Sequence, residues 1–443
     1  MYSPFVKNLL KRNKVKIGDR IIIEKDNQIY EGLLMPRIEL GDKNSLVIKV
    51  SSGYNIGINA KGVKIKKSKH RESKEIKEEV KFEMGKEKFK KIKFDPEKPA
   101  ISLISTGGTI ISKVDYKTGG VKALEKPEEL LANVPELKDI VNIKHVLTPF
   151  NKMSEDIDYK DWIRLANLTA KELNKNKGVI ITHGTDTMHF TSAALSFMLK
   201  TSKPVVLTGA QRSSDRGSSD AWMNLICSAY AAISDIGEVM VCMHSTINDD
   251  YCSLIRGVRV RKMHTTRRDT FKSLRDFPLA NVWTNGKFEL LTKDYMMRRD
   301  DKVLVNAKFE PKVALLKVYP NSDPDVLEYY ISKKYKGFVI EGTGMGHVPT
   351  QTEKSWIKNI KRIAKNYPVV IVPQTLFGRI NRNVYANLRT LYYEANAIPG
   401  EDMIPEVAYV KLGWLLGHKY SLEKIRELMV TSIVGEITER SLV

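Results

Sequence analysis

The chain has 443 residues, 42% hydrophobic and 28% charged, the balance of a soluble globular protein long enough for about two to four domains. No apolar run approaches the ~18 residues of a membrane helix. Met1–Lys16 places a short apolar patch, Phe5–Leu10, ahead of its basic residues, the reverse of a secretory leader, so a cytoplasmic protein without membrane association is expected. The net charge of +21 is uneven: the first 98 residues hold 25 basic and 14 acidic groups, a net +11, and the remaining 345 carry +10. Clustered positive charge attracts polyanions by releasing their counterions, so an RNA neighbour is one reading. A Lys-rich solvated surface is the other, and charge alone does not choose. Three cysteines, Cys227, Cys242 and Cys252, lack metal-ligand spacing and fit buried thiols better than a disulfide framework.

In chain order, Val15–Lys66 carries short strand signals at Asp19–Ile23, Gln28–Leu34, Ser45–Val50, Asn55–Ile58 and Val63–Lys66, separated by glycines, with Gly41-Asp42 and Ser52-Gly53 as turn candidates. Strands this short and closely spaced suggest a small β-barrel over residues 1–70. Residues 71–98, dominated by Lys and Glu and ending in Asp95-Pro96-Glu97-Lys98-Pro99, read as a charged linker. From Pro99 the pattern changes. Apolar runs at Ile101–Ser105, Val179–Thr182 and Val205–Thr208 each end in a Gly-rich turn, with helices such as Tyr159–Asn174, Ser192–Lys200 and Ser219–Ser234 between them. Continuous apolar strands alternating with helices imply an α/β domain, residues 99–290, built on a parallel sheet. Its ligand is then expected beyond the carboxyl ends of the strands, where those turns lie. After a linker, 291–311, the pattern returns over 312–443 as a smaller α/β domain, with strands at Val313–Val318, Gly337–Glu341 and Val369–Pro373 and helices at Lys354–Ala364 and Leu422–Leu428.

The turns hold the chemistry. In Thr106-Gly107-Gly108-Thr109-Ile110 two glycines let the backbone bend tightly and leave the Thr109 hydroxyl accessible; alone, this reads as well as a structural turn. Thr182-His183-Gly184-Thr185-Asp186-Thr187-Met188 demands more. Three hydroxyls, an imidazole and a carboxylate crowd one strand end, and capping a helix near Met188 needs only one of them. His183 receives no role, since a histidine beside a glycine turn is as often simply hydrogen-bonded. Ser213–Asp220 reads as a loop and a serine N-cap rather than a nucleophile region. The basic run Arg256–Arg275 either faces RNA or orders loops by pairing with acids.

Taken with Leu207-Thr208-Gly209-Ala210-Gln211-Arg212, these turns from Ala100 onward resemble the asparaginase family. That resemblance implies an amidohydrolase in which Thr109 attacks the side-chain amide carbon of asparagine or glutamine and Tyr116 moves its proton. Lys262, in Gly257-Val258-Arg259-Val260-Arg261-Lys262-Met263, completes a second triad with Thr185 and Asp186. To act as a base it must be partly neutral, which burial or nearby Arg259 and Arg261 would favour. Ser154 and Glu155 lie where the family binds the amino acid's α-groups, although many asparaginases carry glutamine in place of Glu155. Amides of the turns at Gly108, Gly184 and Ala210 assist in binding. Gly342-Thr343-Gly344-Met345-Gly346-His347-Val348-Pro349 resembles the family's second-domain glycine loop. No metal or organic cofactor is implied in this chain.

A free asparaginase needs neither the N-terminal barrel nor the basic linker. A barrel fused to an asparaginase-like body is similar to the D-type subunits of archaeal glutamyl-tRNA(Gln) amidotransferases. That likeness implies a homodimer that supplies ammonia to an E-type partner subunit, which binds ATP and Mg and converts glutamyl-tRNA(Gln) to glutaminyl-tRNA(Gln). The competing readings are a free cytoplasmic L-asparaginase and a non-catalytic RNA-binding protein.

Overall fold

In the computed structural model the described residues are 2–35, 42–50, 55–68, 94–108, 110, 112–114, 121–123, 134, 136–213 and 218–440. Thr109, Tyr116, Gly41, Gly53, residues 214–217 and the 71–93 portion of the expected linker lie outside them. The chain divides into two compact units. One takes Met1–Lys93, Thr109–Pro135 and Ala210–Trp222; the other takes Phe94–Gly108, Glu136–Gly209 and Met223–Val443. No helix among the described residues is long and apolar enough to cross a membrane.

The first unit opens with a helix, Pro4–Arg12, where only an apolar patch is expected. Ser3 caps it by accepting from the Val6 amide, Pro4 stands in the first turn, and Val6 and Leu10, one turn apart, are buried. Five strands follow: β1 (Arg20–Lys25), β2 (Gln28–Leu34), β3 (Ser45–Lys49), β4 (Asn55–Asn59) and β5 (Lys64–Lys67). They form an antiparallel sheet in the order β4-β3-β2-β1-β5. Ile21, Ile23, Leu34, Leu46, Ile48 and Ile65 meet Val6 and Leu10 in one core. The expected barrel is not found closed. β5 pairs with β1 and β4 with β3, so β4 and β5 stand at opposite edges and no pairing joins them among the described residues. The same unit holds a short ribbon of β7 (Ser112–Val114) and β8 (Val121–Ala123).

The second unit is built on β6 (Ala100–Ser105), β9 (Asn142–Leu147), β10 (Gly178–Thr182), β12 (Val205–Thr208), β13 (Val239–His244), β14 (Cys252–Arg256), β17 (Ala280–Val282) and β18 (Phe288–Leu290). Their order is β18-β17-β14-β13-β12-β10-β6-β9. From β9 to β13 the neighbours run parallel, as continuous apolar burial predicts. Beyond β13 the sheet turns antiparallel, a correction to the expected all-parallel sheet. The link from β13 to β14 is a short loop, too brief for the crossover that a parallel strand requires. Small ribbons flank the sheet: β11 (Leu199–Lys200) with β19 (Leu304–Val305), and β15 (Val260–Lys262) with β16 (Phe271–Ser273). A second, four-stranded parallel sheet follows, β20 (Val313–Lys317), β21 (Gly337–Gly342), β22 (Val369–Pro373) and β23 (Ile398–Pro399) in chain order. Helices Met188–Met198 and Pro405–Gly417 pack against each other and join the two sheets through a shared apolar core.

Candidate active site

The site forms where β6 and β10 end side by side. Register pairs Thr182 with Ser105, and Thr106 donates both its amide and its hydroxyl to the Thr182 carbonyl. The chain then turns through Gly107 at φ +117° and Gly108 at φ +86°, backbone that a side chain resists. Space forbids one as well. A Cβ on Gly107 would lie 2.2 Å from the Lys152 carbonyl oxygen, and one on Gly108 would lie 2.5 Å from Gly184 Cα and N. Gly184 is in turn pressed on Ser154, its hypothetical Cβ 2.7 Å from Ser154 Cβ. Three sequence-distant segments thus touch backbone to backbone. Ser154 is buried in a single turn, Ser154–Asp156, and its carbonyl accepts from the Thr187 hydroxyl at 2.6 Å.

Thr185 and Asp186 follow Gly184, ahead of the helix Met188–Met198. Lys262, the last residue of β15, reaches them from a separate ribbon: Nζ donates to Thr185 Oγ1 at 2.9 Å and to Asp186 Oδ1 at 2.6 Å. The Lys262 side chain is largely buried, whereas that of Asp186 is 65% exposed, free to reach a second cation. Of the expected residues, Gly108, Ser154, Gly184, Thr185, Asp186 and Lys262 therefore converge. Glu155, adjacent to Ser154, is exposed. Ala210 is buried and belongs to the first unit. The C-terminal glycine loop is a tight turn at the end of β21, where Thr343 and His347 bridge.

His183 is fully buried, its ring bonded to the Gly184 carbonyl at 2.6 Å and to Thr191 Oγ1 at 2.9 Å, and Trp162 donates to the same hydroxyl. Burial pushes the imidazole down to about 4, against the opposing pull of the Gly184 carbonyl. His189, in the first turn of the helix, is pushed to about 3 by burial, with Arg261, His183 and Lys262 adding to the shift and Asp186 opposing it. Both rings are thus neutral supports. Their unfolded values lie near 6.5, so between there and about pH 4 the unfolded chain binds protons that the folded chain refuses. Stability therefore rises with pH across that window and is lost on acidification, by about 3 kcal/mol for His183 alone. Urea midpoints between pH 7 and 4.5 check this. His183→Gln should flatten the dependence, and an unchanged slope would count against it.

The basic run Arg256–Arg275 orders loops by pairing. Arg256 meets Glu238 at 2.9 Å, Arg259 meets Asp402 at 3.0 Å, Arg261 meets Glu406 at 3.0 Å and Arg267 meets Asp269 at 2.8 Å. Arg275 donates to the carbonyls of Pro373 and Met403, and its burial pushes the guanidinium down to about 10. Arg259 and Arg261 are thereby turned to acids rather than left bare beside Lys262. Glu406 escapes a reading of the sequence, because nothing local to it announces a partner 145 residues upstream.

Residues 100–295 match the family described as asparaginase, N-terminal, residues 312–429 the glutaminase/asparaginase C-terminal domain, and residues 15–67 the GatD N-terminal domain. The D-type subunit of the glutamyl-tRNA(Gln) amidotransferase of Pyrococcus horikoshii is 49% identical over 98% of this chain and 97% of its own length. That of Methanopyrus kandleri is 44% identical over 97% and 93%. Among solved structures, the thermostable L-asparaginase from Thermococcus kodakarensis superposes with a TM-score of 0.68 at 29% identity, over 76% of this chain and 99% of its own. L-asparaginase I from Vibrio cholerae gives 0.67 at 28%, over 77% and 99%.

Proposed function

The chain belongs to the family of D-type glutamyl-tRNA(Gln) amidotransferase subunits, and from that membership we propose that it releases ammonia from asparagine or glutamine for the conversion of glutamyl-tRNA(Gln) to glutaminyl-tRNA(Gln). The observation that carries this reading is similarity along the full length, N-terminal module included. The L-asparaginases account for 76% and 77% of the chain, and the family match at residues 15–67 lies in the part a free asparaginase would not need. A purely RNA-binding role would leave the Thr185–Asp186–Lys262 constellation without a purpose.

On this reading Thr109 Oγ adds to the amide carbon. The C–N bond breaks, nitrogen takes a proton and leaves as ammonia, and water then hydrolyses the threonyl ester to free aspartate or glutamate. Tyr116 moves the Thr109 proton. Lys262 exchanges a proton with Thr185 Oγ1, or with a water held there, across the 2.9 Å contact. The exposed oxygen of Asp186 and Glu155 take the substrate's α-ammonium, and Ser154 and Thr185 take its α-carboxylate. Amides in the turns at Gly108, Gly184 and Ala210 stabilise the oxyanion, a contribution of about 3–4 kcal/mol for a well-placed donor. The layout would be a small antiparallel β module over 1–70, a linker, catalytic residues 99–290, a second linker and a smaller domain over 312–443, working as a cytoplasmic homodimer. ATP and Mg would act on the E-type partner.

Thr109→Val tests the reading. With the E-type partner, ATP and glutamyl-tRNA(Gln), the variant should form no glutaminyl-tRNA from asparagine or glutamine, yet should still do so when ammonium chloride is supplied. Amide-driven amidation that survives the substitution would overturn it.

A further inference from the structure

The strand that carries Lys262 is held from its other side by the C-terminal domain. In extended backbone, alternate side chains leave opposite faces. Val260 is buried in the shared core, and Lys262 reaches the Thr185–Asp186 turn just ahead of the helix Met188–Met198. Arg259 and Arg261, the alternate residues, reach acids of the C-terminal domain: Asp402 at 3.0 Å, and Glu406, in the first turn of the helix Pro405–Gly417, at 3.0 Å. The groups facing this pair are His189 from the helix Met188–Met198, 3.8 Å from Glu406, and Glu341 at the end of β21, which senses both Arg261 and Glu406. Glu406 is buried, and its Oε2 has no hydrogen-bond partner among the described residues.

A half-buried ion pair, with the Arg261 side chain 30% exposed and that of Glu406 buried, is a weak source of stability, because desolvation and solvent screening offset its attraction. Its value here is direction. It fixes where β15 lies against the C-terminal domain, and one residue further on stands the amine that must meet Thr185 Oγ1.

We propose that Arg261 and Glu406 are positioning residues for Lys262, through which the C-terminal domain aims the lysine at the Thr185–Asp186 turn. This rests on Lys262 being the proton-transfer group. The test uses the full chain with its E-type partner, ATP and glutamyl-tRNA(Gln), and reads kcat and KM for ammonia release from asparagine and glutamine. Arg261→Met and Glu406→Gln should each lower kcat roughly 10- to 100-fold, the scale of a misplacement near 1 Å, with KM almost unmoved. The Arg261→Met/Glu406→Gln double variant should lose no more than either single one, since both break the same link. Arg261→Lys, which keeps the charge, should recover most of kcat. A merely structural pair would lower the melting temperature and leave kcat of the folded protein intact; that outcome overturns the proposal. Lys262→Leu separates the two ideas. If it too leaves kcat intact, the role of the lysine falls; if it abolishes release while Arg261→Met does not, only the positioning role falls.

Discussion

Lys262→Leu is expected to lower ammonia release by about 10²–10⁴-fold, the usual span for losing a positioned acid–base group, while leaving the fold in place. Leucine keeps much of the apolar stem, and the partner it abandons, Asp186, is 65% exposed and stays hydrated. The stability cost should therefore be no more than about 1 kcal/mol, as for exposed ion pairs. The loss of rate has a different origin. Nζ is the group that joins Thr185 Oγ1, at 2.9 Å, to Asp186, at 2.6 Å, and no other cation of the described residues bonds to that hydroxyl. Steady-state ammonia assays beside thermal melts separate the two effects. A variant that melts as the parent does but still releases ammonia at the parental rate would refute the role of the lysine.

The second large effect belongs to a residue with no side chain. Gly108→Ala should cost about 3 kcal/mol or more of stability and at least ~100-fold in rate, through overpacking and misplacement together. Its φ of +86° penalises any Cβ. The larger cost is contact: 2.5 Å to Gly184 Cα and N is far inside the roughly 3.5–4.0 Å at which carbon atoms rest, and backbone is what must yield. Moving Gly184 displaces Thr185 from Lys262 on one side and presses Ser154 on the other. Gly57→Ala is the control, because a Cβ there meets nothing within 4 Å. Equal, small effects at both positions would show that the turns are not packed as described.

The parts of this architecture legible in the sequence are those whose physics is local. Val205–Thr208 and Val369–Pro373 are legible to their observed bounds because a parallel strand buried on both faces is a continuous apolar run. The crowding of hydroxyls and a carboxylate at Thr182–Thr187 marks the site for the same reason, exceeding what a helix cap needs. The helix Pro4–Arg12 escapes notice although Ser3-Pro4 and the Val6/Leu10 spacing announce it; the basic residues around it draw attention to charge instead. What is not legible depends on distant pairing. The antiparallel half of the sheet, β14 to β18, shows no pattern that separates it from parallel strands. The side on which β5 joins the small sheet is set by contacts of Ile21–Glu24 with Lys64–Lys67. Arg259 and Arg261 read as two more charges in a basic stretch until the fold supplies Asp402 and Glu406.

The central claim is that amide hydrolysis in this chain serves tRNA amidation. It is tested most directly by ammonia release from asparagine and from glutamine, measured on the chain alone and again with the E-type partner, ATP and glutamyl-tRNA(Gln). Release that rises on adding the partner and the charged tRNA, with glutaminyl-tRNA formed in step, is the predicted result. Vigorous release that ignores both would contradict the claim and make this a free asparaginase carrying an unexplained N-terminal module.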